Sequence, residues 1–467
     1  MAVVPTGHPL PSGACRGYSG GAPNPCAAAL SSQTSLRVRS TEDEDSPKDY
    51  RSPKPTTPSG GAGRKALFAG NSGQLGFFRQ TDSGKKKNRR CFYLHFHGFV
   101  VQSGQMTAEI GRDGNALKKL LKFLGIVLLV VVVAAAGLIG YLTATEFNPD
   151  PIEPVEVTAA ARNRAVKVGE MLKIVSFNTG YAGLDRTQDF FMDGGTGVKP
   201  ESRERVNANL AGILGALNAQ NAQVYFLQET DVDSARTYGV NEVEYYRHGL
   251  SLNTAFAANY KTAFVPYPWP PIGRVHSGLT TVTELQVTEA TRESLPVPFQ
   301  WPLRIANLKR CMLVERVPVE GTDKELVLVN FHLEAYDDGE GKVAQTRQLV
   351  ELMKAEYRNG NYVIAGGDFN QTFAEAAHIG GSWEGKWTPG VFAEDELPHY
   401  IKLVYDGTRP SCRSLDQPYT GDRKNHAFYL IDGFLMTDNV KLNHVETVDL
   451  NFEYSDHNPV MVQVTLQ

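Results

Sequence analysis

The sequence predicts a mixed α/β (α+β) domain, layered from sheets that are covered on both faces, behind one transmembrane helix and a disordered N-terminus. Three observations carry this. Beyond about residue 171 short β-branched runs alternate with amphipathic stretches; residues 123–142 form an uncharged apolar run of 20; and the part before that run is rich in Gly, Ser, Pro and Thr.

Residues 1–117 cannot bury enough apolar surface to offset the entropy of ordering, so they are expected to be disordered. They contain a basic run at 85–90 and an alternating stretch, RCFYLHFHGFV (90–100), that reads as a short strand. At ~1.5 Å per residue the apolar run covers the ~30 Å hydrocarbon thickness of a bilayer, and residues 118–143 are read as a single-pass membrane anchor. Lys118, Lys119 and Lys122 precede it, whereas Glu146, Asp150, Glu153 and Glu156 follow. By the positive-inside rule the N-terminus is cytoplasmic and the C-terminal domain extracytoplasmic. A start at Met106 would make residues 106–122 the basic leader of a signal peptide, but the apolar run exceeds the ~7–15 residues of such a core. Residues 144–170 carry Pro and Glu and are read as a linker to the folded domain, 171–467.

In that domain the strand-like runs are LKIVSF (172–177), AQVYFL (222–227), ELVLVNF (325–331), YVIAG (362–366), FYLIDGFLM (428–436) and PVMVQVTL (459–466). Several are apolar on both faces, the pattern of sheet centres. Two helices are expected to cover them: residues 201–220, with Val206, Leu210, Ile213, Leu214 and Leu217 on one stripe, and residues 343–357, with Leu349, Leu352 and Met353.

Charge divides the chain. Residues 1–122 hold 18 Lys and Arg against 8 Asp and Glu; the remainder holds 29 against 43. An acidic domain is the opposite of what non-specific nucleic-acid binding wants, so nucleic acid is not the favoured partner. Of five cysteines only Cys311 and Cys412 fall in the domain, and without a CxxC pattern they are read as isolated thiols.

Several apolar runs stop at a carboxylate, an amide or a histidine: Asn178, Glu229, His332, Asp368 with Asn370, Asp432, and Asp456 with His457. Taken singly, Asn178 could start a turn, Glu229 could be a solvated strand end and His332 a satisfied core histidine. Burying such groups unpaired costs kilocalories, so matched exits from six strands point to one shared rim. Asp368 and Asn370, two apart in an extended segment, place both side chains on one face. Oxygen donors without cysteine suit a hard cation such as magnesium, or manganese in its place. A histidine held by a carboxylate suits general-base or phosphate-contacting work, and together these groups favour in-line hydrolysis of a phosphoester.

The order and wording of these motifs, SFN, QET, HLE, GGDFN, IDGF and SDHNPV, resemble the endonuclease/exonuclease/phosphatase superfamily over residues 171–467. The resemblance implies a four-layer sandwich of two mixed β-sheets flanked by helices, with the catalytic site at one rim. It implies that Asn178 and Glu229 hold the magnesium, Glu229 as the direct ligand, with Asp456 near the metal. Asp368 and Asn370 would position water or phosphate, His332 would contact the phosphate, and His457, oriented by Asp432, would be the catalytic histidine. TRPSCR (408–413) resembles a segment in which relatives read "PT-R". Residues 260–283 depart from a "G-A-I-L-S-R"-like strand, and their Pro and Trp read as a substrate-facing loop or a rigid surface turn. An anchored, acidic, outward domain favours a phospholipid or a small phosphodiester or phosphomonoester as substrate. An extracellular DNA or RNA nuclease is the alternative, and a non-catalytic binding protein on the same fold the second.

Overall fold

Two parallel strand pairs, each joined through a helix, set the architecture. The computed structural model describes residues 93–96, 99–102 and 114–467, apart from 338, 374–378, 380, 382 and 425. Of residues 1–117, expected to be disordered, 1–92, 97–98 and 103–113 lie outside the described residues, as does the alternative start at Met106, whereas residues 114–117 are helical and correct that expectation. Within the alternating stretch Tyr93–Phe96 and Phe99–Gln102 pair as an antiparallel hairpin.

One seven-stranded sheet runs in the order Val440–Thr447 (β13), Val460–Leu466 (β14), Met171–Asn178 (β3), Val224–Asp231 (β4), Gly273–Thr283 (β6), Asn253–Val265 (β5) and Val157–Thr158 (β2). The other runs Ile401–Val404 (β11), Asp432–Thr437 (β12), Tyr362–Asp368 (β10), Glu325–His332 (β9), Cys311–Pro318 (β8), Glu289–Ser294 (β7) and Ile152–Pro154 (β1). Within these two sheets only β3/β4 and β9/β10 are parallel. Parallel neighbours need a long crossover, which Arg203–Gln220 (α2) and Glu340–Arg358 (α4) supply. The side chain of Ser202 caps α2 by accepting from the Arg205 amide at 3.2 Å, and Asn221 at φ 46° ends it.

Side chains alternate along each strand, so each sheet has two apolar faces. Leu172, Ile174, Val224 and Phe226 meet Leu326, Leu328, Ile364 and Phe434 between the sheets. On the outside, Val206, Leu210, Ile213 and Leu217 of α2 pack with Tyr246 of Glu242–Leu250 (α3) over Val175, Phe177, Tyr225 and Leu227. Leu349 and Met353 of α4 cover Val327, Val329 and Val363. The order helix, sheet, sheet, helix is the four-layer sandwich that was expected, and each of these fully buried side chains contributes about 1.5–3 kcal/mol. β10 lies tightly against its sheet neighbour β9: a Cβ on Gly367 would collide with the Phe331 carbonyl oxygen. Gly367→Ala is therefore expected to destabilise the domain by about 1–3 kcal/mol, read as a lowered urea midpoint, and an unchanged midpoint would mean that β10 is free to shift.

Three expectations need correction. Residues 144–170 are not simply a linker: β1 and β2 add an edge strand to each sheet, in a stretch whose prolines are tolerated because edge strands need only half their ladder. FYLIDGFLM is not one strand. Phe428–Tyr429 pairs with Cys412–Arg413, and β12 begins at Asp432 because the amides of Ile431 and Asp432 both donate to the Ser411 hydroxyl at 3.1 Å. Residues 260–283 are mostly strand, the end of β5 and all of β6, with a turn only between them. Cys311 and Cys412 are buried free thiols, as expected.

Gly114–Ala144 (α1) contains the apolar run and is long and apolar enough to cross a membrane. Its large apolar side chains from Leu117 to Val133 are exposed, so no described part of the chain covers them. Its C-terminal end is fastened to the domain. Trp301 Nε1 donates to Thr143 Oγ1 at 3.2 Å, and Glu146 Oε1 pairs with Arg304 Nε at 3.3 Å and Lys309 Nζ at 3.1 Å.

Candidate active site

Strand register assembles the site. His332 lies opposite Asp368 across the parallel β9/β10 ladder, and Asp368 lies opposite Asp432 across the antiparallel β10/β12 ladder. In the facing sheet Asn178 lies beside Gln228. All continue the face that is apolar core further along each strand. Amides make the change from core to site: Gln228 Nε2 donates to Asn330 Oδ1 at 2.8 Å, and Asn330 Nδ2 donates to the carbonyls of Thr280 (3.0 Å) and Leu227 (3.2 Å).

Glu229 is aimed by an irregularity. The β4/β6 register shifts between Leu227 and Thr230, and Glu229 sits at φ 56°, a left-handed conformation that costs a non-glycine residue about 1–2 kcal/mol. The bulge turns its carboxylate toward the rim instead of leaving it on the alternate face. Asn178 Nδ2 donates to Glu229 Oε1 at 3.1 Å and to Asp368 Oδ2 at 3.0 Å, while its Oδ1 accepts from the Gly180 amide at 3.0 Å. Asn178 was expected near the metal as an oxygen donor; here its N–H groups tie two carboxylates together. Gly180, at φ 51°, lies so close to Asp456 that a Cβ would be 2.8 Å from Asp456 Oδ1.

His457 Nδ1 lies 2.8 Å from Asp432 Oδ2, and its Nε2 lies 3.8 Å from Asp368 Oδ2 and 3.9 Å from Asp456 Oδ2. Burial alone would lower its pKa, but the Asp432 and Asp456 carboxylates outweigh burial and hold the imidazole well above the usual histidine range. Burial, with the Asp432 carboxylate next, pushes Asp368 up to about 7 against the pull of His457 and of hydrogen bonds from Asn370 and Asn178. Asp456 is likewise raised by burial and by Glu229, against His457 and Arg413. His332 Nε2 faces Asp368 Oδ2 at 3.4 Å and Glu229 Oε1 at 4.0 Å; burial foremost, then Arg310 and His457, holds it well below the usual value and hence neutral. Asn370, at φ 50°, donates its amide N–H to Asp368 Oδ1 at 2.8 Å and its Nδ2 to the Leu333 carbonyl at 3.0 Å, which fixes both side chains. The eight residues singled out in the sequence thus converge on one rim.

No family model matches the chain, and no curated protein does. Solved structures do. An endonuclease/exonuclease/phosphatase protein from Beutenbergia cavernae DSM 12333 is 17% identical, with 63% of this chain and 72% of that chain covered at a TM-score of 0.43. Humanized D. rerio TDP2 is 16% identical over 63% of this chain and 99% of that chain, at 0.40. The endonuclease/exonuclease/phosphatase from Bacteroides vulgatus is 13% identical over 64% of this chain and 100% of that chain, at 0.41. This chain is similar to endonuclease/exonuclease/phosphatase structures.

The rim opens into a cavity of about 280 Å³. Glu229, His332, Asp368, Asn370, Asp456 and His457 line one part, and Phe190, Met192, Ile272, Leu308 and Trp387 are among the apolar residues of the rest. Sequence reading missed two of its polar walls. Arg310 is buried, reaches Glu334 Oε2 only at 3.6 Å, and has no hydrogen-bond partner for Nε or Nη1. Asp193 is pushed up to about 7 by burial, against a hydrogen bond from the Tyr336 hydroxyl at 3.0 Å. Neither adjoins a motif; the only available signal for Arg310 is a basic residue at the start of a β-branched run. Arg413, in the TRPSCR segment, is buried and donates from Nη2 to the Asp185 carbonyl at 2.8 Å, so it clamps the loop after β3.

Proposed function

We propose that this chain is a membrane-anchored, magnesium-dependent phosphoester hydrolase whose substrate carries an apolar group, a phospholipid being favoured over a small phosphodiester or phosphomonoester. The observation that carries the reading is that His457, held by Asp432 and facing Asp368, lines one cavity with Asp368, Glu229 and an apolar wall. The donor set fits a hard divalent cation. Glu229 and Asp456 are carboxylates of one site, and the Glu229 charge adds to burial in raising the proton affinity of Asp456, a charge arrangement that a cation relieves. Glu229 and Asp456 would hold magnesium, which when bound polarises the phosphoryl group and neutralises charge that builds on it.

The chain's own groups divide the remaining work. Asp368, with a proton affinity near neutrality, takes the proton of the attacking water as the new oxygen–phosphorus bond forms; the bond to the leaving oxygen breaks with its electron pair going to that oxygen, which takes a proton from solvent water. Asn370 and Asn178 keep its two oxygens aimed. His457, cationic beside Asp432, faces the charge on the phosphoryl oxygens. At 3.8 Å from Asp368 Oδ2 it stands on the same side as the base, which suits charge stabilisation better than protonation of an in-line leaving group. Arg310 offers two unused N–H groups to a further phosphate oxygen, and neutral His332 donates a hydrogen bond.

The test is product release by the full chain from phosphatidylcholine, sphingomyelin and phosphatidylinositol vesicles and from plasmid DNA, with magnesium and with chelator. Magnesium-dependent lipid cleavage, at least about tenfold over DNA, is expected. DNA nicking alone would replace the lipid reading by a tethered nuclease, and binding without turnover by a non-catalytic protein.

A further inference from the structure

Outside α1, the described aromatic side chains exposed by more than half are three: Tyr267 (70%), Trp269 (89%) and Trp301 (55%), and Leu303 beside Trp301 is 70% exposed. They lie on two loops, one at the tip between β5 and β6, the other between β7 and β8. The chain's other tryptophans, Trp383 and Trp387, pack against a buried cluster. Both loops also wall the cavity, the first through Ile272 and the second through Phe299 and Leu308. The second is the loop that holds the end of α1, through Trp301 on Thr143 and through Arg304 and Lys309 on Glu146.

Thr143 directly follows the apolar run, so a side chain bonded to it stands at the end of the hydrophobic span. Trp and Tyr favour that depth, where the ring is in an apolar layer and the polar edge is wet. Two large exposed indoles are costly in water, and here each stands on a loop that also walls the cavity.

Resting on the phosphoester reading above, we infer that the two loops lie on the surface of the same membrane that α1 crosses, and that the cavity mouth between them receives its phosphoester from the lipid headgroup layer. The partner is thus the bilayer and not a second protein. Ile272, Phe299 and Leu308 continue the apolar path from the exposed tips into the cavity, while Arg310, two residues past Leu308, marks where a headgroup phosphate would stop.

The full chain, reconstituted in phosphatidylcholine vesicles with and without lipids brominated on their acyl chains, tests this by tryptophan quenching. Quenching is expected in the native chain and is expected to fall sharply in Trp269→Ser/Trp301→Ser, whose Trp383 and Trp387 report that the domain is folded. The same variant should hydrolyse vesicle lipid about tenfold more slowly and turn over a monomeric short-chain lipid with the same headgroup at an unchanged rate. Equal quenching in both proteins, or none in either, places the loops against water or protein and overturns the inference. Because quenching needs no turnover, a chain that is quenched as expected but cleaves no phosphoester upholds the membrane contact and rejects the catalytic reading instead.

Discussion

His457→Ala is expected to lower kcat by about 10²–10³-fold with little change in KM, because it removes a cation aimed at charge that develops in the transition state. The pH profile identifies the mechanism more closely. Asp368 must be ionised, and burial with Asp432 pushes it up to about 7, so the rate should rise with pH through about 7. His457 must keep its proton, and its pKa is held well above the ordinary value, so the rate should fall again only on the alkaline side. Asp432→Asn removes the carboxylate that raises both groups. The whole bell should then move to lower pH, the acid limb with Asp368 and the alkaline limb with His457. A profile that kept both limbs in place would reject Asp368 as base and His457 as cation together.

Glu229→Gln is expected to remove magnesium dependence rather than to unfold the domain. The amide keeps the shape, the backbone conformation and one acceptor, and takes away the charge. Loss of a direct ligand should exceed the about 10–100-fold effect of outer-shell changes on metal affinity or activity. The measurement is the rise in Tm on adding magnesium, present in the native chain and absent in the variant. If the variant were stabilised as much as the native chain, the metal would lie elsewhere.

Much of this site was legible in the sequence because it is written where strands end. LKIVSF, AQVYFL and YVIAG are strands within two residues of their expected starts, and alternation alone then puts Asn178 and Asp368 on the inter-sheet face. The alternation could not reveal which strand lies beside which. That His332, Asp368 and Asp432 are lateral neighbours is a matter of pairing among segments up to a hundred residues apart. The strands β5 and β6 were hidden by their polar content: Thr254 and Thr262 of β5 and Thr280, Thr281 and Thr283 of β6 are buried, Thr280 joined hydroxyl to hydroxyl to Thr230 of β4 at 2.6 Å, so the two Thr-bearing runs lack the apolar signal. α3 is short, and Glu242 within it is buried, which breaks the expected stripe. Arg310 was illegible for a different reason, since a basic residue before a strand reads as a solvated end until the cavity around it is seen.

A glutamate held at φ 56° is a residue that the fold alone would not select. Glycine at that position would relieve about 1 kcal/mol of backbone strain, so drift unopposed by selection for chemistry runs toward glycine there. Under the proposed role of Glu229 as a magnesium ligand, keeping glutamate there costs about 1–2 kcal/mol of backbone strain that metal binding offsets. Descendants with glycine there and the strand intact are expected to be the more stable folds and to lack the proposed metal ligand.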